Sequence, residues 1–292
     1  MTIAEARRII NEYEYKSVVT DDEEFLLLEA LEFMIDATKE TEWMVRLGGY
    51  HYEKRNFDLA LKYYEMADEL GDEWAAEGLG YIWYYGRTGV KDYDKAFRYY
   101  HKAMENDNLQ SLVKVADMYK NGYGVERNYD MYVELIETAY DQVKDAAFLG
   151  QPVPEVFTRL AKIRTEQGNT DEAIDLYVRA KDYLIRRISA NPFFGNLNIM
   201  QWLEEDLYEL IDFDRADFDL YDLFVLMREP AKVAFMYDGA MFVVEAVREE
   251  SGVSIRFGDN WYRDIAEFFA KATIAGERIP VLYRRLYNFK VV

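Results

Sequence analysis

One stretch near the middle of the chain, residues 75–143, contains the same pattern twice. Every matching pair lies 36 positions apart: Leu79-Gly80 with Val115-Ala116, Gly86 with Gly122, Tyr93-Asp94 with Tyr129-Asp130, Tyr99-Tyr100 with Leu135-Ile136, and Ala103 with Ala139. Self-similarity at a fixed period of about 20–50 residues is typical of proteins built from stacked repeats. This repeat therefore constrains the fold more than any other feature of the sequence.

Each repeat is predicted to be a pair of helices, the first over 75–85 and the second over 93–105, joined by a glycine-containing turn. Small residues recur where helices must approach closely, at Gly80 and Ala116 on the first helix of each pair. Helix axes pack about 8–10 Å apart, and the nearer end of that range needs small side chains at the crossing. We expect Trp83, four positions after the Leu-Gly step begins, to fill the space between neighbouring repeats.

The same residues resemble the Sel1-like repeat, a relative of the tetratricopeptide repeat. The resemblance rests on Leu79-Gly80, Trp83, Gly86, Gly89-Val90, Tyr93-Asp94-Lys95-Ala96, Tyr99-Tyr100 and Ala103, and in the next copy on Gly122-Tyr123-Gly124-Val125, Tyr129 and Ala139. It implies a right-handed superhelix of helix pairs that acts as an adaptor for other proteins.

Weaker copies extend the array in both directions. Residues 43–70 form a shorter, tetratricopeptide-like copy and 2–38 a degenerate first copy. A fifth unit, marked by Leu160-Ala161, Ala173 and Ala180, follows a proline-containing break at 150–154. A second break at 191–195 precedes a last helix pair at 197–211 and 216–228. The sequence therefore predicts a mainly α fold, an α/α superhelical solenoid of Sel1-like and tetratricopeptide-like helix pairs over residues 1–228.

The last part of the chain, residues 231–292, has a different pattern. Asp238-Gly239 lies between two apolar runs, which is a strong signal for a two-residue hairpin turn. A third strand is predicted at 253–257, then a helix that begins at Asp259 or Asn260, carries Trp261 and ends at Gly276, then an extended segment. We predict a small α+β domain of order β-β-β-α-β, with the last solenoid helices covering its second sheet face.

Composition limits the classes of function. The chain of 292 residues has no cysteine, which fits a reducing, cytoplasmic location, and we expect neither a signal peptide nor a membrane span. The net charge of −20 argues against nucleic acid and anionic membranes as partners. Residues 1–230 carry −21 of this charge. An acidic solenoid favours a basic partner, although the excess of Asp and Glu could equally serve solubility alone.

Few residues are suited to catalysis or metal binding. The repeat register places His51 where Trp83 stands, as a packing residue, and places His101 on an exposed helix face. The acidic run at Asp212, Asp214, Asp217 and Asp219, which follows Glu204, lacks the glycine and terminal glutamate of a calcium loop. It is interpreted as a solvated surface or as a docking site for a basic segment. We therefore expect no enzyme, no metal and no cofactor.

The candidate binding residues lie two and five positions after the Leu-Gly step of each first helix. They are Tyr52, Tyr81, Tyr84, Asp117 and Lys120. First helices line the inner curve of such superhelices, and tyrosines there offer large contact area at low entropy cost. The predicted function is a scaffold that binds a protein or peptide on a concave, acidic, tyrosine-rich surface. The alternatives are an immunity or regulatory protein that occludes a basic effector, and small-ligand binding by the C-terminal domain.

Overall fold

The structure is a computed structural model that describes the chain except residues 15, 17–18, 73, 146–152, 191–193, 212–217 and 251 and the side chain of residue 194. The fold is mainly helical, with a helical-repeat solenoid and a small antiparallel sheet domain near the C-terminus. The chain divides into two compact units, Met1–Ala139 and Tyr140–Val292. The domain boundary proposed at 228–231 lies inside the second unit.

The first unit is a series of helix pairs. Its helices are α1 (Ile3–Tyr13), α2 (Asp21–Thr38), α3 (Thr41–Glu53), α4 (Phe57–Glu69), α5 (Ala75–Tyr85), α6 (Tyr93–Glu105), α7 (Leu109–Asn121) and the start of α8 (Tyr129–Val143). Thr2 and Thr20 begin α1 and α2 with capping boxes. Within the pairs, α1 contacts α2, α3 contacts α4 and α5 contacts α6, and each pair also contacts the next. The degenerate first copy is therefore a helix pair, as predicted.

The Leu-Gly step has a clear packing role. Leu47, Leu79 and Val115 are all fully buried at equivalent positions, which confirms the predicted layers. A methyl group on Gly80 would lie 2.6 Å from the Tyr100 ring, and one on Gly48 would lie 2.9 Å from the Tyr64 ring. In α3 and α5 the glycine after the leucine therefore makes room for a tyrosine from the partner helix.

Two further features of the repeat are confirmed. Trp83 packs against two successive core clusters, one around Leu79 and one around Val115, so it fills the space between neighbouring repeats. Gly86 and Gly122 end α5 and α7 with φ of 61° and 71°, the left-handed conformation that favours glycine. The 36-residue period therefore corresponds to two copies of one structural unit.

The second unit begins with further helices. They are α9 (Pro154–Glu166), α10 (Thr170–Ala190), α11 (Phe194–Leu210) and the short α12 (Leu223–Leu226). The fifth pair, α9 with α10, and the helix at 197–211 are confirmed, and Leu160 is buried like its counterparts. The helix predicted over 216–228 is wrong in its extent, since Phe218 instead bridges Phe289 and only α12 is helical there. Most of both predicted breaks lies outside the described residues.

The C-terminal part is richer in strands than predicted. It contains β1 (Ala231–Tyr237), β2 (Ala240–Glu249), β3 (Gly252–Phe257), β4 (Asn260–Tyr262), helix α13 (Ile265–Lys271), β5 (Thr273–Ile274), β6 (Glu277–Arg278), a 3₁₀ helix (Ile279–Arg285) and β7 (Leu286–Val291). The five-stranded antiparallel sheet has the order β4-β3-β2-β1-β7, and β5 pairs with β6. The hairpin at Asp238-Gly239 is confirmed, with φ of 49° and 78°.

The predicted start and end of the C-terminal helix are wrong. Gly258-Asp259 forms a second two-residue turn, because Phe257 pairs with Asn260, so Trp261 lies on β4. The helix begins after Asp264, whose side chain accepts a hydrogen bond from the Glu267 N–H. It ends at Lys271, and Gly276 belongs to the β5–β6 turn.

Among the described residues, helices cover one face of the sheet and leave the other exposed. On the inner face, Phe257 contacts Phe268 of α13 with ring centroids 5.5 Å apart. Helices α11 and α12 contact α13 rather than the second face. On that outer face, Met241 is 68% exposed and Trp261 is 52% exposed. The expectation that the last solenoid helices cover the outer face is therefore wrong.

Candidate functional site

The first helices of the repeats bring a set of aromatic rings together around an arginine. Arg87, in the turn after α5, lies with its guanidinium carbon 5.7 Å from the Tyr52 ring centroid, 5.5 Å from Phe57 and 4.9 Å from Tyr85. Its Nε donates a hydrogen bond of 3.0 Å to the Tyr52 hydroxyl. The Tyr52 and Phe57 rings meet edge to face, 5.3 Å apart. Residues from α3, α4 and α5 thus hold one exposed cation.

A lysine from the next repeat extends this arrangement. Lys114 of α7 has its Nζ 5.6 Å from the Tyr81 ring centroid and 5.3 Å from those of Tyr84 and Tyr85. Nζ also donates a hydrogen bond of 3.0 Å to the Tyr85 hydroxyl. Tyr85 therefore contacts both cations. We call the set Tyr52, Phe57, Tyr81, Tyr84, Tyr85, Arg87 and Lys114 the aromatic–cation cluster.

The buried core of the repeat packs against this cluster. Tyr81 and Tyr84 place their rings edge-on against Tyr100, which is fully buried in the space that Gly80 leaves. Tyr84 also contacts Tyr93 of α6. Burial raises the pKa of Tyr84 to about 12, so its phenol stays neutral at pH 7. The Tyr81 and Tyr84 rings are therefore held in place by packing against the buried core.

The two cations of the cluster have no carboxylate within ion-pair distance among the described residues. On the second helices the situation differs. Lys95 lies 3.8 Å from the Trp83 ring centroid but also 3.9 Å from Asp92, and Lys102 pairs with Asp68 at 2.5 Å. Cation–π contacts hold a positive group without neutralising it. The cluster therefore presents fixed aromatic area with two positive groups available to a ligand.

The structure brings some of the predicted binding residues together. Tyr52, Tyr81 and Tyr84 all belong to the cluster, although Tyr84 turns partly toward α6. Lys120 lies elsewhere, 4.7 Å from the Tyr132 ring centroid of α8, and Asp117 is half-buried on α7. The position five residues after the Leu-Gly step thus faces the partner helix more than predicted. Whether these five residues bind a partner stays a prediction.

Sequence reasoning missed four members of the cluster, namely Phe57, Tyr85, Arg87 and Lys114. Arg87 and Lys114 do not recur at the 36-residue period, since Tyr123 and Gly78 occupy the matching positions. A search for recurring residues therefore passes over them. The signal that could have found them is an unmatched cation within one helical turn of repeated tyrosines.

The two histidines differ in their surroundings. His51 is buried and stacks on Tyr63, with centroids 5.7 Å apart and an interplanar angle of 8°, which confirms its packing role. Burial lowers the pKa of His51. His101 has a 39% exposed side chain and lies 3.6 Å from Glu105. The described residues place no nucleophile in contact with either imidazole.

The second unit contains a buried charged cluster that sequence reasoning did not anticipate. Lys181 of α10 lies 2.6 Å from Glu204, 3.2 Å from Asp219 and 3.0 Å from Asp222. Tyr208 donates a hydrogen bond to Asp222. Burial raises the pKa of Glu204 to about 7.

The interpretation of the acidic run as a solvated surface is therefore wrong for Glu204 and Asp219, because both carboxylates contact Lys181 of α10. Asp212, Asp214 and Asp217 lie outside the described residues. In the described part of the chain, no group of three His, Cys, Asp or Glu side chains could hold a metal ion. No described helix is long and apolar enough to cross a membrane.

Comparisons with known proteins find curated relatives of this chain. Two curated relatives from Arabidopsis thaliana are named ERAD-associated E3 ubiquitin-protein ligase components. HRD3B is 24% identical over 182 residues, which are 62% of this chain and 27% of the relative. HRD3A is 26% identical over 110 residues, 38% of this chain and 16% of the relative. The chain thus spans about a quarter or less of the length of these relatives.

A solved structure and a family model agree on the fold. The crystal structure of a Sel1 repeat protein from Oxalobacter formigenes superposes with a TM-score of 0.52 at 19% identity, covering 72% of this chain and 76% of that one. This likeness concerns the fold alone. The family model described as Sel1 repeat matches residues 44–72, 75–108 and 109–142. Residues 44–142 are therefore three consecutive Sel1 repeats.

Proposed function

We propose that this chain is a non-catalytic scaffold that binds a partner protein or peptide on the first-helix face of its Sel1 repeats. Repeats of this family are typically interaction scaffolds. The observation that supports the proposal most is the aromatic–cation cluster, which joins α3, α5 and α7 across the three repeats. Its location on successive first helices is where a superhelix of this family presents its inner surface.

The cluster has the chemistry of a binding surface. Tyrosine and arginine are enriched among the residues that dominate interface energetics. Tyr85 is 38% exposed and contacts both cations, so we assign it the role of central anchor. Tyr52 and Tyr81 flank it, and Asp117 of α7, whose charge acts on Tyr84, lies next to the cluster.

The charge of the partner is a separate question. The net charge of −20 favours encounter with a basic protein, but salt screens such attraction beyond about 8 Å under physiological conditions. The two named relatives are components of a ubiquitin ligase, and membership of a multiprotein assembly is what we carry over from them. A reducing compartment such as the cytoplasm fits the absence of cysteine.

Affinity capture from native cell extract tests the proposal. The baits are the wild-type chain, Tyr85→Ala, and Tyr99→Ala as a matched control on the second helix α6. We expect wild type and the control to retain a stoichiometric protein partner, and Tyr85→Ala to lose it, because truncating an anchor typically costs about 2 kcal/mol of binding. Equal retention by all three baits, or capture of no protein, would contradict the proposal.

A further inference from the structure

The two cations of the aromatic–cation cluster indicate the chemistry of the ligand. Arg87 uses its Nε for Tyr52, and Lys114 uses one of its three N–H donors for Tyr85. The remaining donors make no hydrogen bond to the described residues and are open to a ligand. We infer that the cluster binds an acidic segment of the partner, with carboxylates on Arg87 and Lys114. This inference rests on the proposed function.

The repeat fold itself does not require these cations. Residues that build the stack recur at the 36-residue period, as Leu79 does at Val115 and Ala103 at Ala139. Arg87 is replaced by Tyr123 in the next copy, and Lys114 by Gly78 in the preceding one. A cation that packing needed would be expected in both copies. The shorter copy has Arg46 and Arg55 at the matching positions, so what distinguishes Arg87 and Lys114 is the set of tyrosine rings that holds them.

The rings keep the two cations in place and separate from the many carboxylates of the chain. Arg87 and Lys114 lie 4.9 Å and 5.3 Å from the same Tyr85 ring centroid, so their charged groups are at most about 10 Å apart. In an extended peptide, side chains at positions i and i+2 lie on one side, about 7 Å apart. Acidic residues at alternate positions can therefore reach both cations while the residue between them faces away.

A basic segment fits the same surface poorly. It would bring like charges against Arg87 and Lys114, or would have to displace them from the rings to gain cation–π contacts of its own. Two carboxylates lie nearby: Asp117 on α7, whose charge acts on Tyr84, and Asp58, which lines the same pocket as Arg87. Arg55 lines that pocket as well, so these named groups carry three positive and two negative charges, in a chain that is acidic as a whole.

Peptide titration by fluorescence polarisation tests the inference with the full-length chain. The probes are three labelled twelve-residue peptides that differ only in having Glu, Gln or Lys at alternate positions. We expect the Glu peptide to bind, the Gln peptide to bind about tenfold more weakly or worse, and the Lys peptide to be weakest. Raising the salt concentration should weaken the Glu peptide most.

Matched variants locate the binding. Arg87→Gln and Lys114→Gln should each weaken the Glu peptide about tenfold. Lys95→Gln removes the same charge from a stacked lysine that already has Asp92 as partner, and should leave the affinity unchanged. Thermal melts of each variant establish that the fold is retained.

Three outcomes would overturn the inference: equal binding of the Glu and Gln peptides, preference for the Lys peptide, or no binding of the Glu peptide at about 1 mM. The proposed function fails separately, when Tyr85→Ala retains the cellular partner. Loss of the partner in Tyr85→Ala together with a preference for Lys peptides would leave the scaffold role standing and reject the acidic ligand.

Discussion

Two lysines, one in each unit, show how differently this chain treats a positive charge. Lys114 lies on three tyrosine rings at the surface of the first unit. Lys181 is 10% exposed in the second unit and contacts three carboxylates. A charge that is surrounded by opposite charges inside the protein serves the structure, since exposing it would cost the whole cluster. A charge that rests on neutral rings stays available, so it can serve recognition.

The buried cluster connects three segments of the second unit. Lys181 comes from α10, Glu204 and Tyr208 come from α11, and Asp222 immediately precedes α12. Asp222 also accepts a hydrogen bond from the Asp219 N–H at 2.6 Å. Next to this turn, Phe218 bridges Phe289 on β7. The cluster therefore positions the segment that leads from the helices to the sheet.

Replacing each lysine in turn should give the largest difference in unfolding free energy between the structural lysine and the surface lysine. Lys181→Met leaves three carboxylates without a counter-charge in the core, and we expect it to lower the free energy of unfolding by about 3–5 kcal/mol. Lys114→Met is the matched variant and should change it by less than about 1 kcal/mol. Urea denaturation measures both values. Similar losses of unfolding free energy in the two variants would contradict the assignment of a structural role to Lys181 alone.

A change in the core that packs against the aromatic–cation cluster should lower the stability by a smaller amount. Gly80→Ala places a methyl group 2.6 Å from the Tyr100 ring, and overpacking of this kind costs about 1–3 kcal/mol. Gly49→Ala on α3 is the control, because its methyl group would lie 3.6 Å from the Tyr64 hydroxyl, an ordinary contact. Alanine also favours a helix over glycine. Thermal denaturation should show a lower Tm for the first variant alone, and an unchanged Tm would show that Tyr100 can move.

Protonation of Glu204 gives the smallest effect on stability when it is expressed per pH unit. Its pKa in the folded chain is raised to about 7, against an ordinary value near 4.5. The folded state therefore binds more protons between these values, so this group makes stability fall as the pH rises from about 4.5 to 7. The slope is at most about 1.4 kcal/mol per pH unit.

Glu204→Gln should remove this contribution. Urea denaturation at pH 5, 6 and 7 would compare its slope with that of the wild type, and Glu205→Gln, on the same helix but partly exposed, is the control. The wild type should lose more stability over this range than Glu204→Gln does. Parallel slopes would mean that Lys181 keeps Glu204 ionised throughout.

The sequence predicts two kinds of feature: packing positions that recur from repeat to repeat, and turns that depend only on neighbouring residues. Leu47, Leu79 and Val115 could be assigned to equivalent layers because each is an apolar residue followed by a small one, and the small residue has a steric reason. The Asp238-Gly239 turn could be predicted because a two-residue turn needs positive φ. Neither prediction depends on a partner that is distant in the sequence.

The missed features depend on such partners. Glu204 and Asp219 look solvated until Lys181, from a different helix, is placed between them. Arg87 and Lys114 come together only because two repeats stack, and neither residue recurs at the 36-residue period. Trp261 was placed on a helix because Asp259 resembles a helix cap, whereas Gly258-Asp259 is a hairpin turn and the cap is Asp264. A helix-cap signal and a turn signal of similar strength compete at residues 258–260, and the pairing of β3 with β4 decides between them.

The central claim is that the partner contacts the aromatic–cation cluster. Site-specific photocrosslinking in cells tests it most directly, with p-benzoylphenylalanine in place of Tyr85 on α5 or of Tyr99 on α6. The account predicts a crosslinked protein adduct from position 85 and none from position 99. An adduct from position 99 alone, or from neither position while the partner is still captured, would contradict it.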